Sequence, residues 1–311
     1  MNRNEKIYVV VPAFNRKFFI QRFLRCLDRQ TFKDFNCIIV DDGSTDGTAE
    51  LIAEEFTRVQ LVRGNGNLWW TGATNLGIRH ALAEASDADA ILVINDDIEI
   101  DSDYVETLHR LRQSMPRTLI GSLLVDIDNP EVIWDGGRIV NWWTAKFKTL
   151  NSGRKLSEFG RDHYVDVSLL TGSGTLIPIQ VFREIGLYDD EHFQQCGDTE
   201  LPVRAKNAGY RLIVSYAAVA KMHIEATDGV NARSYYSIRE LTKYFFGIKS
   251  NFRLKYRFFF GLNTATNPLA FISFLLCDFC RISCHLLLRL RFLSGLHSSR
   301  RKETDGTVQG T

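Results

Sequence analysis

The sequence predicts an α/β fold in which a mostly parallel central sheet is flanked by helices. Three observations carry this. Between Ile7 and Ile100, four apolar β-branched runs alternate with segments of helical periodicity. The runs read as strands buried on both faces. Polar residues recur where each run stops: Pro12 to Asn15, Asp41 and Asp42, Arg63 to Asn67, and Asn95 to Asp97. Ligands of open α/β sheets sit beyond the carboxyl ends of the strands, so these four ends are expected to face one crevice.

In order, IYVVVPAF (Ile7 to Phe14) is the first strand. FFIQRFLRCLDRQ follows as a helix, with Phe19, Phe23, Leu24 and Leu27 at helical spacing. FNCIIV runs into Asp41, and in DDGSTDGTAELIAEEF a cap from Ser44, Thr45 or Asp46 precedes a helix carrying Leu51, Ile52 and Phe56. VQLV is the third strand, followed by a glycine-rich turn, a helix through TNLGIRHALAEA and the strand AILVIN. From about Ile120 to Val167 the signals shorten into strand-like pieces, the turn DGGR and the pair Trp142 and Trp143, which are expected to complete the sheet and shape a second pocket. TGSGTLIP (Thr171 to Pro178) is a small-residue loop entering a strand, and DTELPVRAKNAGYRLIV is a helix closed by Gly209 before another strand.

The formal net charge of the 311 residues is +1, which argues against nucleic-acid binding through bulk charge. Six irregularly placed cysteines do not form a disulfide framework, and the first strand begins too early for a signal peptide, so a reducing, cytoplasmic setting is expected. Past Asn251 the chain is rich in Phe, Leu and Arg but too interrupted for a membrane span. Asp278, Arg281, His285 and Arg289, at spacings of three, four and four, share one helical stripe. Such a helix suits either an anionic membrane interface or an oligomer contact. Cys277, Cys280 and Cys284 in it read as small hydrophobes.

In order, VVVPAFNR, IIVDDGSTDGT, VINDD and GDTELPVRAKNAGY resemble glycosyltransferase family 2, whose members have the GT-A fold. The resemblance runs from about Ile7 to His223, and GNGNLWWTGATNLGI is similar to the branch holding bacterial rhamnosyltransferases of surface-polysaccharide assembly. It implies inverting transfer from a nucleotide diphosphate-sugar, dTDP-rhamnose or a UDP-hexose, to a hydroxyl of a saccharide or polyprenyl-linked saccharide acceptor. The implied cofactor is a divalent metal, Mg²⁺ or Mn²⁺. The implied organisation is a GT-A catalytic domain over 1–225, with a nucleotide-sugar half (1–118) and an acceptor half (119–225). A membrane-associated helical segment (226–298) and a polar tail (299–311) follow, placing the chain peripherally on the inner face of the plasma membrane.

Under the same resemblance Asn95, Asp96 and Asp97 stand at the metal motif, with Asp97 on the metal and Asp96 nearer the ribose. Asn95 departs from the usual acid. Asp41 and Asp42 read the nucleotide, Asp42 taking the base N3–H, while Pro12, Ala13 and Phe14 wall the base and Asn15 is a further nucleotide-sugar candidate. Backbone N–H groups of Thr71, Gly72 and Ala73 face phosphate oxygens, and Arg63 and Asn75 are further polar candidates. Trp69 or Trp70 either stacks on the sugar or packs in the core. Asp198 is the general base, preceded by Gly197 where the motif usually has a first acid; Glu200 reads as a helix-surface residue. Gly172, Ser173 and Gly174 are acceptor-side candidates, and His223 is either a further metal ligand or a structural histidine. Two rivals stand beside this reading. A sugar-phosphate nucleotidyltransferase needs a glycine-rich loop where the chain has PAFNRKFF, and a non-catalytic nucleotide- or glycan-binding protein is suggested by Gly197 and Asn95.

Overall fold

The structure, a computed structural model, describes residues 5–224, 238–250 and 252–284. Its elements begin with β1 (Ile7–Ala13), α1 (Lys17–Asp28), β2 (Phe35–Asp41), α2 (Thr48–Glu55), β3 (Gln60–Arg63), α3 (Trp69–Glu84) and β4 (Ala90–Val93). Then come β5 (Ile98–Ile100), α4 (Tyr104–Ser114), β6 (Thr118–Asp126), β7 (Asn129–Asp135), β8 (Arg138–Asn141), β9 (Lys146–Thr149) and β10 (Tyr164–Asp166). The chain continues through β11 (Thr175–Pro178), α5 (Ile179–Ile185), α6 (Glu200–Asn207), β12 (Arg211–Met222), α7 (Ile238–Phe246) and α8 (Leu254–Thr264). A further helix spans residues 268–284.

Alternation along β1 assigns its side chains to two separate cores. Val9 and Val11 pack with Ile20, Phe23 and Leu24 of α1, whereas Tyr8 and Val10 pack with Ala73, Ile78 and Ala81 of α3. Both faces are therefore covered, which is why the strands are apolar throughout. Removing the ring of fully buried Phe23 would cost about 3–5 kcal/mol. The main sheet has the order β10-β12-β6-β11-β4-β1-β2-β3. β1, β2, β3 and β4 are mutually parallel, β11 runs antiparallel between β4 and β6, and β12 lies parallel to β6. The mostly parallel α/β sheet is as expected from the sequence, with β11 reversed inside it, β10 reversed at its edge, and β5 and β7 antiparallel to β12 and β6.

The chain leaves β1 toward β2 on one side and returns as β4 on the other. The switch point, where loops diverge and leave a crevice, therefore lies between β1 and β4. The helix expected to begin near Thr74 starts earlier, at Trp69, so both tryptophans lie in its first turn.

The described residues form two compact units. The first comprises residues up to Val140 with Phe147–Thr264, so α7 and α8 belong to it and the boundary expected near residue 225 does not separate the units. The second comprises Asn141–Lys146 with the described residues from Ala265 onward. Within it, Leu269, Ile272, Leu276 and Phe279 of the 268–284 helix are between 52% and 69% exposed, whereas Ala270, Phe274, Asp278 and Ile282 are buried. This corrects the expected polar stripe. Asp278 turns inward and pairs with Arg281 at 2.5 Å, and an apolar stripe faces outward. Cys280 and Cys284 are exposed rather than packed, and Cys277 donates to the Trp143 carbonyl. His285, Arg289 and the tail over 299–311 lie outside the described residues. Among the described residues, no helix is long and apolar enough to cross a membrane.

Candidate active site

At the switch point the ends of β1 and β4 bring Arg16 onto the acid pair. Arg16 Nε donates to both oxygens of Asp96 at 3.1 and 3.2 Å, and its Nη2 donates to Asp97 Oδ2 at 3.0 Å. Both carboxylates are buried. Burial raises the Asp96 pKa to about 7; Arg16 opposes this and the neighbouring Asp97 charge adds to it. Burial also raises Asp97, again against Arg16. One oxygen, Asp97 Oδ1, is buried without a hydrogen-bond partner. His223 stands next to this pair, its backbone N–H donating to the Asp97 carbonyl and its charge opposing the rise of the Asp97 pKa. His223 Nε2 lies 3.1 Å from Glu99 Oε1, which also accepts from Arg22 Nε at 2.7 Å. Burial works against the Glu99 carboxylate, yet the bonds from His223 and Arg22 outweigh it and hold its pKa down.

The two acids after β2 have different surroundings. Asp42 is saturated: Oδ1 accepts from Gly66 N–H at 2.8 Å, and Oδ2 accepts from Leu68 and Trp69 N–H at 2.8 and 3.1 Å. A carboxylate at the start of α3 also suits the positive end of that helix. Asp41 keeps one oxygen without a hydrogen bond. Its Oδ1 takes the Ser44 N–H at 3.0 Å, while the buried Oδ2 has no hydrogen bond and its charge partner, Arg63 Nη1, is 3.7 Å away. Asn15, exposed and at φ 53°, accepts from Thr45 N–H and donates its own N–H to Ser44 Oγ. Asp46 accepts from the N–H groups of Lys17 and Thr48, the first residues of α1 and α2. These bonds fix the loop after β2 against Pro12, Ala13 and Phe14, of which Phe14 is exposed.

The opposite wall joins three chain segments. Trp70 Nε1 donates to Asn95 Oδ1 at 2.8 Å, and Asn95 Nδ2 donates to Ser173 Oγ at 3.4 Å. The neutral amide of Asn95 accepts from one partner and donates to the other, linking the two segments without adding charge to the wall. A Cβ on Gly172 would run into the Trp70 ring, and the Gly172 N–H donates to Asp198 Oδ2 at 3.0 Å. Burial raises the Asp198 pKa, with the Gly172 N–H and the Arg138 charge acting in the opposite direction. Gly197 is explained by packing as well. A Cβ there would stand 2.6 Å from Thr71 Oγ1, so an acid side chain at this position is sterically barred. Gly174, at φ 94°, donates its N–H to the Val93 carbonyl and lies behind this wall.

Several expected site residues turn out to be structural. Asn75 is buried, with both ends of its amide on the Tyr188 backbone. The Thr71 N–H donates to Gln194 O and the Gly72 N–H to Leu68 O, so neither is available to a phosphate. Glu200 is fully buried, not a surface residue, and pairs with Arg204 at 2.5 Å. The loop carrying Asp198 is braced from α8: Asn263 donates to Asp189 and Glu200, and the Phe259 ring stacks on His192 at 3.5 Å. Arg16, Glu99 and Arg138 are absent from the sequence-derived set. For Arg16 a signal exists: it follows β1, whose parallel neighbour ends in two acids.

Comparison with known proteins identifies the family and the fold. The sequence profile described as Glycosyl transferase family 2 matches residues 8–174. An N-acetylglucosaminyl-diphospho-decaprenol L-rhamnosyltransferase of Mycobacterium tuberculosis is 24% identical over 261 residues, covering 76% of this chain and 82% of that protein. A dTDP-rhamnosyl transferase of Shigella flexneri is 24% identical over 207 residues, 66% of this chain and 65% of its own. In fold, the chain is similar to GalNAc-T7 crystallised with UDP, GalNAc and Mn²⁺, with a TM-score of 0.57 at 14% identity over 71% of this chain and 44% of that one.

Proposed function

The chain belongs to glycosyl transferase family 2, and from that premise we propose that it transfers a sugar from a nucleotide diphosphate-sugar to a hydroxyl of a lipid-linked saccharide, with inversion at the anomeric carbon. One observation carries the reading. Adjacent residues Gly172 and Ser173 bond to Asp198 and to Asn95, the neighbour of the acid pair, so a base and a leaving-group site share one wall.

In this mechanism Asp198 takes the proton of the acceptor hydroxyl as its oxygen attacks the anomeric carbon. The bond to the diphosphate breaks with its electron pair going to the phosphate oxygen, and attack from the opposite face inverts the centre. Asp41, through its open Oδ2, accepts the N3–H of a uracil or thymine base, and Pro12 to Phe14 wall that base. This revises the sequence-based preference for Asp42, whose oxygens hold the loop before α3. Trp70, fixed by Asn95, shapes the wall by which the sugar enters.

The donor set suits a hard divalent cation, Mg²⁺ or Mn²⁺. Asp97 Oδ1 is a buried acceptor without a partner, and among the described residues no three His, Cys, Asp or Glu side chains form a closed cage. Asp97 would therefore hold the ion with help from the diphosphate and water, as hard cations at phosphates commonly are held. When bound, the metal neutralises charge developing on the leaving diphosphate. His223 supports Asp97 through its backbone N–H and its charge, while its ring bonds to Glu99. EDTA is expected to reduce initial-rate transfer at least about tenfold, with Mg²⁺ or Mn²⁺ restoring it. Full activity in excess chelator would remove the metal from this reading.

The relatives favour dTDP-rhamnose as donor and a polyprenyl diphosphate-linked saccharide as acceptor, with a UDP-hexose as second choice of donor. Such an acceptor requires approach to a membrane, and the outward stripe Leu269, Ile272, Leu276 and Phe279 suits insertion into the cytoplasmic leaflet. Each side chain moved from water to acyl chains would contribute about 1.5–3 kcal/mol. In this reading the chain sits peripherally at the inner face of the plasma membrane, with the unit that includes α7 and α8 supplying the chemistry and the 268–284 helix the contact. Changing Leu269, Leu276 and Phe279 together to Asp is expected to abolish co-flotation with anionic liposomes. Unaltered flotation, or conversion of a dimer to a monomer with no change in lipid binding, would reassign the stripe.

A further inference from the structure

We propose that Arg16 is the resident counter-cation of Asp96 and Asp97 and makes metal binding at Asp97 conditional on the diphosphate donor. The inference rests on the reading of Asp97 as metal ligand. Arg16 bonds to three of the four oxygens of the pair, at 3.0 to 3.2 Å, and leaves Asp97 Oδ1 buried and without a hydrogen bond. The grip is uneven. Nε and Nη2 both reach Asp96, whereas Asp97 is held through Nη2 alone. The guanidinium is itself 24% exposed at the side chain, with Cζ 4.5 Å from the centre of the Phe19 ring, so it borders the crevice.

Charge sets the order of binding. Even with both carboxyls ionised, they and the guanidinium sum to a single negative charge, so a divalent ion arriving alone meets a fixed cation and leaves a buried site with net positive charge. A diphosphate brings negative charge that offsets the ion. It also presents phosphate oxygens to a planar fork that pairs well with them. Arg16 would then exchange its bond to Asp97 for a phosphate oxygen, freeing Asp97 to hold the ion, while Asp96 keeps the guanidinium in place. The ion and the donor enter together, and the ion alone binds weakly.

The test is Mn²⁺ binding, read from the electron paramagnetic resonance of free Mn²⁺, to the full chain without donor and then with saturating UDP or dTDP. A protein-free control accounts for chelation by the nucleotide. Without nucleotide, R16Q is expected to bind one Mn²⁺ about tenfold or more tightly than wild type, because the competing charge is gone. R16K, which keeps the charge but loses the fork, should fall between them. R16Q combined with D97N should lose the site, and nucleotide should strengthen Mn²⁺ binding more in wild type than in R16Q. Equal affinities of wild type and R16Q without nucleotide would overturn the role of Arg16 while leaving the metal reading intact. If neither protein binds Mn²⁺ in an Asp97-dependent way even with nucleotide, the metal reading itself fails. Thermal melts establish that the variants fold; should R16Q not fold, R16K binding Mn²⁺ no more tightly than wild type overturns the proposal.

Discussion

Replacing Asp198 by Asn is expected to lower kcat by about 10²- to 10⁴-fold, the usual contribution of a general base, while nucleotide affinity stays within about twofold. Asn is nearly isosteric, and its carbonyl oxygen can still accept the Gly172 N–H that orients Asp198. The wall around Trp70 and Ser173 therefore stays in place, and what disappears is the ability to take a proton. Because burial raises the Asp198 pKa, the acidic limb of the wild-type kcat profile should lie above the range of an exposed aspartate. The sign is fixed by the role: a base works deprotonated, so activity falls as pH drops through the raised value. D198N should show its residual rate without that limb. Turnover near the wild-type level in D198N would remove the base assignment.

The second large effect separates two adjacent acids. Asp42→Ala removes the acceptor of three N–H groups at the start of α3. Hydrogen bonds to a charged group contribute about 1.5–3 kcal/mol each and overlap when shared, so a loss of about 3–5 kcal/mol is expected. In a chain of this size that is a fall in Tm of about 10 °C. Asp41→Asn should instead leave Tm within about 2 °C, since Oδ1 can still accept the Ser44 N–H. Its amide nitrogen would face the base N–H, donor against donor, and weaken nucleotide binding by about tenfold or more. Calorimetry and isothermal titration on the two variants read both effects. If Asp42→Ala melts like wild type and loses nucleotide, while Asp41→Asn binds normally, the roles are reversed.

Much of this crevice is legible in the sequence itself. Apolar runs that stop at polar residues marked the crevice, because a parallel sheet covered on both faces has its strand ends as the ready outlets for polar side chains. What periodicity could not supply was the direction of each group. Asp41 and Asp42 look alike in sequence, and only the curl of residues 64–69 onto Asp42 separates them. Trp69, at φ 57° in the first turn of α3, conceals where that helix starts. Spacing likewise placed Asp278 and Arg281 on one stripe of the last helix but not which stripe would be covered. Gly197 and Asn95, which looked like signs of decay, answer to packing against Thr71 and to the bonds with Trp70 and Ser173.

The central claim is inverting transfer from a nucleotide diphosphate-sugar to a lipid-linked acceptor. Its most direct test supplies wild-type protein with Mn²⁺ and dTDP-rhamnose or a UDP-hexose, with and without a polyprenyl diphosphate-linked N-acetylglucosamine. Released nucleotide is identified by chromatography and the product's anomeric centre by NMR. The predicted result is nucleoside diphosphate released in step with a glycoside of inverted configuration, only when acceptor is present. A product of retained configuration, or release of nucleoside triphosphate on adding pyrophosphate in place of acceptor, would contradict it.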